Sequence, residues 1–353
     1  MTRKPTLAVV GATGAVGAVM LQILTQHADV WGDIRLIASP RSAGRKLAVR
    51  GGESEVLPLT EEALDGVDVA LFLAPAEVAA QWAPVAAAKG AVVVDNSAAF
   101  RADPDVPLVV PEINRPAVRV RPRGIVASPG CSTLALIVAV GALHAEFGVT
   151  ELVVNACQAA SGAGTEGVAA LRSQLALVAG TELGTKPGDV RRAVGDDTGP
   201  FPAPLALNVV PWSGEVCEDG WSSEELRLRA ETRKVLDLPA LRVSATCVRV
   251  PVVTAHSLSV HARFENPVTV ARAHEILATS PGVVLYDDPE SRDFPTPADV
   301  VGTDPTWVGR VRRSLDDEHG LELFVCGDNL RKGAALNTAQ IAEAVAAELA
   351  LSS

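Results

Sequence analysis

The chain has no CxxC pair and no Cys/His cluster at metal-ligand spacing. Its five cysteines, Cys131, Cys157, Cys217, Cys247 and Cys326, are an odd number. That argues against a disulfide framework or a zinc site and for free thiols in a reducing compartment. No apolar stretch reaches bilayer-spanning length without a charge or a turn signal, so no membrane association is expected. The first residues, Met1-Thr2-Arg3-Lys4-Pro5, lead at once into a strand-like run without a signal-peptide core, and a cytoplasmic protein is expected. Positive charge is not in excess either. The formal net charge of −11 disfavours nucleic acid or an anionic membrane as a partner. Bound phosphate would have to be held by local Arg and Lys residues. Internal repeats and low-complexity tracts are also missing.

What is present is ample core. At 353 residues the chain exceeds the usual span of one hydrophobic core, so two domains are expected. A content of 48% hydrophobic and 21% charged residues is that of a globular protein. The chain is organised around Ser128-Pro129-Gly130-Cys131-Ser132-Thr133, which precedes the apolar helical run Leu134 to Leu143. Pro129 and Gly130 break the preceding element, and Ser132 and Thr133 can cap the helical run. Cys131 then sits at a helix N-terminus, where the backbone dipole favours thiolate, the nucleophile of acyl transfer. Taken alone, such a cysteine equally fits a small buried residue at a tight turn.

The N-terminal half alternates strand and helix. Thr6 to Val10 reads as a buried strand, Gly11-Ala12-Thr13-Gly14-Ala15-Val16-Gly17 as a glycine turn, and Val19 to His27 as a helix. In that context a GxxGxxG spacing lets backbone N–H groups approach a pyrophosphate at the helix N-terminus. The second strand, Asp33 to Ile37, runs into Ala38-Ser39-Pro40-Arg41-Ser42-Ala43-Gly44-Arg45-Lys46. That loop offers hydroxyls and cations and no acid, which suits a 2′-phosphate and makes NADP the expected cofactor; a solvated basic loop is the bland alternative. Strand-like Val67 to Leu73 and Ala91 to Asp95 flank a helix at Val78 to Lys89, and Gly124 to Ala127 is the strand that delivers Cys131. The pattern implies a Rossmann-like parallel sheet with helices on its faces. Arg101, in the loop after Asp95, is placed to hold an anion at a strand's carboxyl end.

Beyond Cys131 the texture changes. A strand at Glu151 to Ala156 ends in Cys157-Gln158-Ala159-Ala160-Ser161-Gly162, and residues 165–180 read as helix. Residues 186–223 have little periodicity and resemble an arm or interface segment containing Trp212 and Trp221. Ser223 to Leu236 reads as a helix capped by Ser222 or Ser223. Val243 to Val253, Leu258 to Phe264 and Leu321 to Cys326 suggest a mainly antiparallel sheet, and Asn329 to Leu351 a long final helix packing back on the first domain. The expected architecture is α/β: a dinucleotide-binding domain at 1–130, completed by the helix at 329–353, and an α+β catalytic and dimerisation domain at 131–328.

These residues meet a known family. GATGAVG at 11–17, RSAGRK at 41–46, DNSAAFR at 95–101 and VPEIN at 110–114 come in order with the Cys131 motif. QAASGAG at 158–164, ETRKVL at 231–236, SATCVRVPVVTAHS at 244–257 and DNLRKGAALN at 328–337 come after it. Jointly they resemble the aspartate-β-semialdehyde dehydrogenases, most closely the actinobacterial branch, over almost the whole length. The resemblance implies an oxidoreductase of amino-acid biosynthesis, a homodimer that reduces L-aspartyl-4-phosphate to L-aspartate-4-semialdehyde with NADPH. By the same resemblance Cys131 is the nucleophile, His256 the acid/base and Gln158 an orienting residue for the acyl-enzyme. Arg249 would clamp the substrate carboxylate, Glu224 its ammonium, and Arg101 and Arg227 the phosphate. The dinucleotide would lie on Gly11, Thr13, Gly14, Ala15, Val16, Ser39, Arg41 and Ser42, with Ser161, Gly162 and Asn329 on the nicotinamide side. No metal is implied.

The chemistry fits independently: a free amino acid needs a bidentate cation, and His suits proton transfer near neutral pH. Several positions depart from the family pattern. Ser128 and Gly130 stand in the usual N-P-N-C run, Cys157 replaces a Tyr, and Arg227 replaces a phosphate-binding Lys. These departures leave two other readings open: a paralogue of the same mechanism with a different acyl phosphate, and a silent copy kept for binding or regulation.

Overall fold

The structure, a computed structural model, describes residues 3–27 and 30–352. It divides into two compact units. The first comprises Met1–Gly130, Lys234–Asp237 and Arg331–Ser353, and the second Cys131–Arg233 and Leu238–Leu330.

The first unit is built on a sheet of β1 (Leu7–Val10), β2 (Ile34–Ala38), β3 (Lys46–Val49), β4 (Gly52–Pro58), β5 (Val69–Phe72), β6 (Val92–Asp95) and β7 (Ile125–Ala127). Its order is β3-β4-β2-β1-β5-β6-β7, and every pairing is parallel except that of β3 with β4. The central strands are buried along their whole length, as expected for short, all-apolar runs covered on both faces. The helix Ala15–Gln26 and the C-terminal helix Leu336–Ser352 pack on each other, and the latter also rests on β5 and β6. Leu7, Val9, Met20, Ile23, Leu71, Ile341 and Val345 share the core between them.

Two features differ from the sequence expectation. The basic loop after β2 is shorter, because Pro40–Ser42 makes a single 3-10 turn and Lys46 opens the β3–β4 hairpin. That hairpin turns at Arg50 and Gly51, both at positive φ. It is a half-exposed edge with mixed charge, so no apolar alternation marks it. The last helix is also not continuous from Asn329: Arg331–Ala335 forms a π-helical turn before the α-helix begins at Leu336. Lys332 on that turn is 2% exposed and donates to Glu112, Asn337 and Gln340 at 2.7, 2.9 and 2.7 Å. Burial pushes its pKa down while Glu112 pulls it back up. Asn337 in turn donates to Val109 O and to Ser128 Oγ, so the segment leading to Cys131 is anchored from the C-terminal helix.

The second unit holds β8 (Val149–Gln158), β9 (Arg242–Arg249), β10 (His256–Phe264), β11 (Val283–Leu285), β12 (Thr306–Arg313) and β13 (Gly320–Gly327). They form one sheet in the order β11-β12-β13-β10-β8-β9. The three middle pairings are antiparallel, and β8–β9 and β11–β12 are parallel. The helix Cys131–Phe147 lies across β8, β10, β12 and β13, buried on nearly every side, which is why its sequence is apolar all round. The strand expected to reach Val253 stops at Arg249, since Pro251 has no N–H for a ladder. The expected series also lacks β11, β12 and the helix Val270–Thr279. In β12 a register shift between Gly309 and Arg312, with Arg310 at φ 54°, breaks the period-2 pattern that would mark a strand. Residues 186–223 are irregular apart from the short helices at Asp189–Val194 and Glu218–Gly220. Among the described residues no helix is long and apolar enough to cross a membrane.

Candidate active site

The sheet topology of the second unit explains how residues far apart in sequence meet. β8 and β9 run parallel and end side by side at Gln158 and Arg249. β10 runs antiparallel to β8 and therefore begins at the same edge, with His256. Cys131, the first residue of its helix, comes to this edge with Sγ 3.1 Å from His256 Nε2.

The imidazole of His256 is 1% exposed, and its Nδ1 accepts the backbone N–H of Ala159 at 3.0 Å. An Nδ1 that accepts cannot carry the proton, so the neutral ring has its hydrogen on Nε2, directed at the sulfur. Burial, together with the Arg249 charge, pushes the pKa of His256 down to about 3. The ring is neutral at physiological pH.

Arg249 is 9% exposed, and its Nη1 donates to Ala159 O at 3.0 Å. The backbone of Ala159 therefore orients both the histidine and the arginine. Val210 exchanges two backbone hydrogen bonds with Arg249 and fixes the end of β9. Burial pushes the Arg249 pKa down, while its acidic neighbours, Cys131 first and then Glu224, push it back up. Gly162 is required here for space: a Cβ at that position would lie 2.4 Å from Arg249 Nη1 and 3.1 Å from His256 Cε1.

Gln158 is 1% exposed and fully engaged. Its Nε2 donates to Ser132 Oγ at 2.9 Å, and its Oε1 accepts from Ser213 Oγ at 2.6 Å. It thus ties the first turn of the Cys131 helix to the irregular arm. Thr133, one residue further on, donates to the buried Glu231 at 2.8 Å. Ser161 and Asn329 are hydrogen-bonded to each other, both nearly inaccessible. Glu224 opens a helix capped by a reciprocal pair, Ser222 N–H to Glu225 and Glu225 N–H to Ser222 Oγ. Its Oε1 accepts from Arg227 Nη1 at 2.7 Å.

Of the other thiols, Cys247 is driven far above the ordinary thiol range and Cys326 up to about 11, both chiefly by burial, and Cys157 is also raised by burial. Cys131 has the histidine beside it.

The first unit carries the other residues that the sequence singles out. Gly11, at φ 92°, is where β1 meets Leu73: a Cβ there would lie 2.3 Å from Leu73 O. Gly14 precedes the helix Ala15–Gln26 without a side-chain cap, and a Cβ on it would meet nothing closer than Gly11 O at 3.5 Å. Thr13, Ala15 and Val16 complete the turn into this uncapped helix N-terminus, the kind of end at which backbone N–H groups can hold a pyrophosphate. Ser39 and Arg41 are exposed and Ser42 half-buried after β2, with no acid among them. Arg101 donates to Asn96 O at 2.7 Å. The loop it begins is held by Lys234, whose Nζ donates to the carbonyls of Arg101, Asp103 and Val106 at 2.9, 2.6 and 2.8 Å.

Sequence reasoning missed Ser213, Glu231, Lys234 and the backbone of Ala159. Glu231 and Lys234 lie inside the ETRKVL motif and Ser213 in the irregular arm next to Trp212, but nothing local says which atom they serve.

Fold and site define a two-domain, nucleotide-dependent dehydrogenase with a thiol set beside a buried histidine. Residues 6–120 match the family model for a semialdehyde dehydrogenase NAD binding domain, and residues 140–332 that for a semialdehyde dehydrogenase dimerisation domain. The chain is 47% identical to an aspartate-semialdehyde dehydrogenase of Corynebacterium melassecola, covering 96% of this chain and 98% of the relative. It is 45% identical to that of Streptomyces akiyoshiensis, over 97% and 98%. The crystal structure of aspartate semialdehyde dehydrogenase II complexed with ASA from Vibrio cholerae superposes with a TM-score of 0.90 at 35% identity, covering 98% of this chain and 99% of that one. The chain belongs to the aspartate-semialdehyde dehydrogenase family.

Proposed function

We propose that this protein catalyses the NADPH-dependent reductive dephosphorylation of L-aspartyl-4-phosphate to L-aspartate-4-semialdehyde through a thioacyl intermediate on Cys131. The observation that carries the reading is the 3.1 Å contact of Cys131 Sγ with His256 Nε2, beside the buried Arg249. In this reading residues 1–130 with the helix at 329–353 bind the dinucleotide, and residues 131–328 catalyse and dimerise. The working form is a cytoplasmic homodimer.

Attack by the Cys131 sulfur forms the C–S bond of a thioester and expels phosphate with the electron pair of the broken C–O bond. Reduction of the thioester carbon needs a hydride, which NADPH would supply when bound. The Nε2–H of His256 is the donor available to the oxygen as it takes up negative charge. Collapse of that oxyanion breaks the C–S bond, releasing the aldehyde and restoring the thiolate. The Nδ1 accepts the Ala159 N–H, so the exchangeable proton of the neutral ring sits on Nε2. In this reading the acid/base role that the resemblance gives His256 falls on Nε2, which begins as a hydrogen-bond donor to the oxygen. Arg249 suits the substrate carboxylate and Glu224 the ammonium, while Arg101 and Arg227 supply charge for the phosphate. Gly11, Thr13, Gly14, Ala15 and Val16 would hold the pyrophosphate, and Ser39, Arg41 and Ser42 the 2′-phosphate that selects NADP.

The reverse reaction tests the proposal. Aspartate semialdehyde, phosphate and NADP⁺ should give NADPH in a phosphate-dependent manner; turnover only with another aldehyde, or none, contradicts it. In the same assay Lys234→Met should raise KM for phosphate about tenfold, because the Arg101 loop loses three carbonyl contacts. KM for the aldehyde and for NADP⁺ should hold.

A further inference from the structure

We propose that Asn329 is a positioning residue for His256, acting through the backbone of Ala255. This rests on the reading of His256 as the donor to Cys131 and to the oxyanion.

Ala255 immediately precedes His256 and has φ 78°, the left-handed region that residues with a Cβ adopt rarely and at a cost. It is 1% exposed, so water does not compensate its backbone. Its N–H is met by Asn329 Oδ1 at 2.9 Å. That contact also settles which end of the amide is oxygen, since an N–H must face an acceptor. The amide is in turn gripped by Ser161, whose Oγ lies 2.9 Å from Nδ2 and 3.0 Å from Oδ1. The turn bearing Asn329 is rigid for its own reasons: Asp328 accepts from Leu330 N–H and from Gly302 N–H, both at 2.8 Å.

A chain of contacts thus runs from Asp328 and Ser161 through Asn329 to one strained residue, and from it to the catalytic ring. Without the amide, Ala255 is released toward negative φ, and the peptide entering His256 rotates. The ring then leaves the Ala159 N–H, and Nε2 leaves the sulfur. The resemblance gives Ser161 and Asn329 to the nicotinamide side; their side chains also form this brace.

The test compares wild type, Asn329→Ala and the double variant Asn329→Ala with Ala255→Gly. Two readouts are taken: steady-state kinetics in the reverse reaction, and the rate at which iodoacetamide alkylates Cys131 at pH 7, followed on its own peptide. Asn329→Ala should lower kcat by about 10²-fold, the scale of a lost catalytic donor, and should slow alkylation measured without dinucleotide. Ala255→Gly should restore much of both, because glycine holds positive φ without help. A raised KM for NADP⁺ with kcat and alkylation unchanged would overturn the inference, as would a double variant no better than the single one. Should Asn329→Ala not fold, Ser161→Ala, which only loosens the amide, must lower kcat in the same way, and an unchanged kcat contradicts the proposal. Loss of phosphate-dependent turnover in the wild type would refute the function instead, while the alkylation rates still decide the positioning.

Discussion

Cys131→Ser should fold with wild-type stability and turn over at least ~10⁴-fold more slowly. The reason lies in His256 as much as in the sulfur. A serine hydroxyl attacks only if a base removes its proton, and in cysteine- or serine-based hydrolases a histidine does this. Here Nδ1 is occupied by the Ala159 N–H and Nε2 already bears hydrogen, with the ring's pKa pushed down to about 3. The histidine offers a donor and no base, so a nucleophile must already be ionised when the substrate arrives. A helix N-terminus favours thiolate over thiol, and a thiol ionises far more readily than an alcohol. The variant changes one half-buried atom, so its urea midpoint should match the wild type within experimental error. Dinucleotide affinity, measured by fluorescence titration, should also be unchanged.

The second large effect is expected at Gly162. An alanine Cβ there would sit 2.4 Å from Arg249 Nη1, closer than any real contact, and 3.1 Å from His256 Cε1. The backbone of this turn is pinned by the hydrogen bonds of Ala160 and Ser161 to Val252 O and Val253 O, whereas the tip of an arginine moves easily, so the guanidinium yields first. It loses the hydrogen bond to Ala159 O, and the ring beside it is pressed toward the sulfur. Gly162→Ala should therefore fold normally while kcat/KM for the aldehyde falls about 10²-fold, the loss carried mainly by KM if the arginine alone moves. A crystal structure of the variant should find the guanidinium displaced. Unchanged kinetics would mean that Arg249 does not hold the substrate carboxylate.

How much of the molecule is legible in its sequence divides along physical lines. The first unit is readable because its strands are short, apolar and separated by strong punctuation: Gly11, Gly14 and Gly17, then Pro75 and Gly90. Local chemistry dictates those elements. Cys131, Gln158, Arg249 and His256 are identifiable as residue types in motifs, and the structure gathers them at one sheet edge. Their hydrogen bonds cannot be read from the chain, because each partner is distant in sequence: Ala159 to His256, Ser213 to Gln158, Asn329 to Ala255. The tautomer of His256, and with it the role of the ring, depends on one backbone N–H that no side-chain pattern records. The β3–β4 hairpin, β12 and the π-turn at Arg331–Ala335 escape for another reason. They are edge or irregular elements whose stability comes from tertiary contacts, the Lys332–Glu112 pair among them, rather than from periodicity.

A single-turnover experiment without phosphate reaches the centre of the proposal. The enzyme is mixed with aspartate semialdehyde and excess NADP⁺, NADPH formation is followed by stopped flow, and the protein is then examined by peptide mass spectrometry. The prediction is a burst of one NADPH per Cys131, with one aspartyl group in thioester linkage on that residue, discharged when phosphate is added. Steady NADPH formation with no burst, or an acyl group on any other side chain, would contradict it.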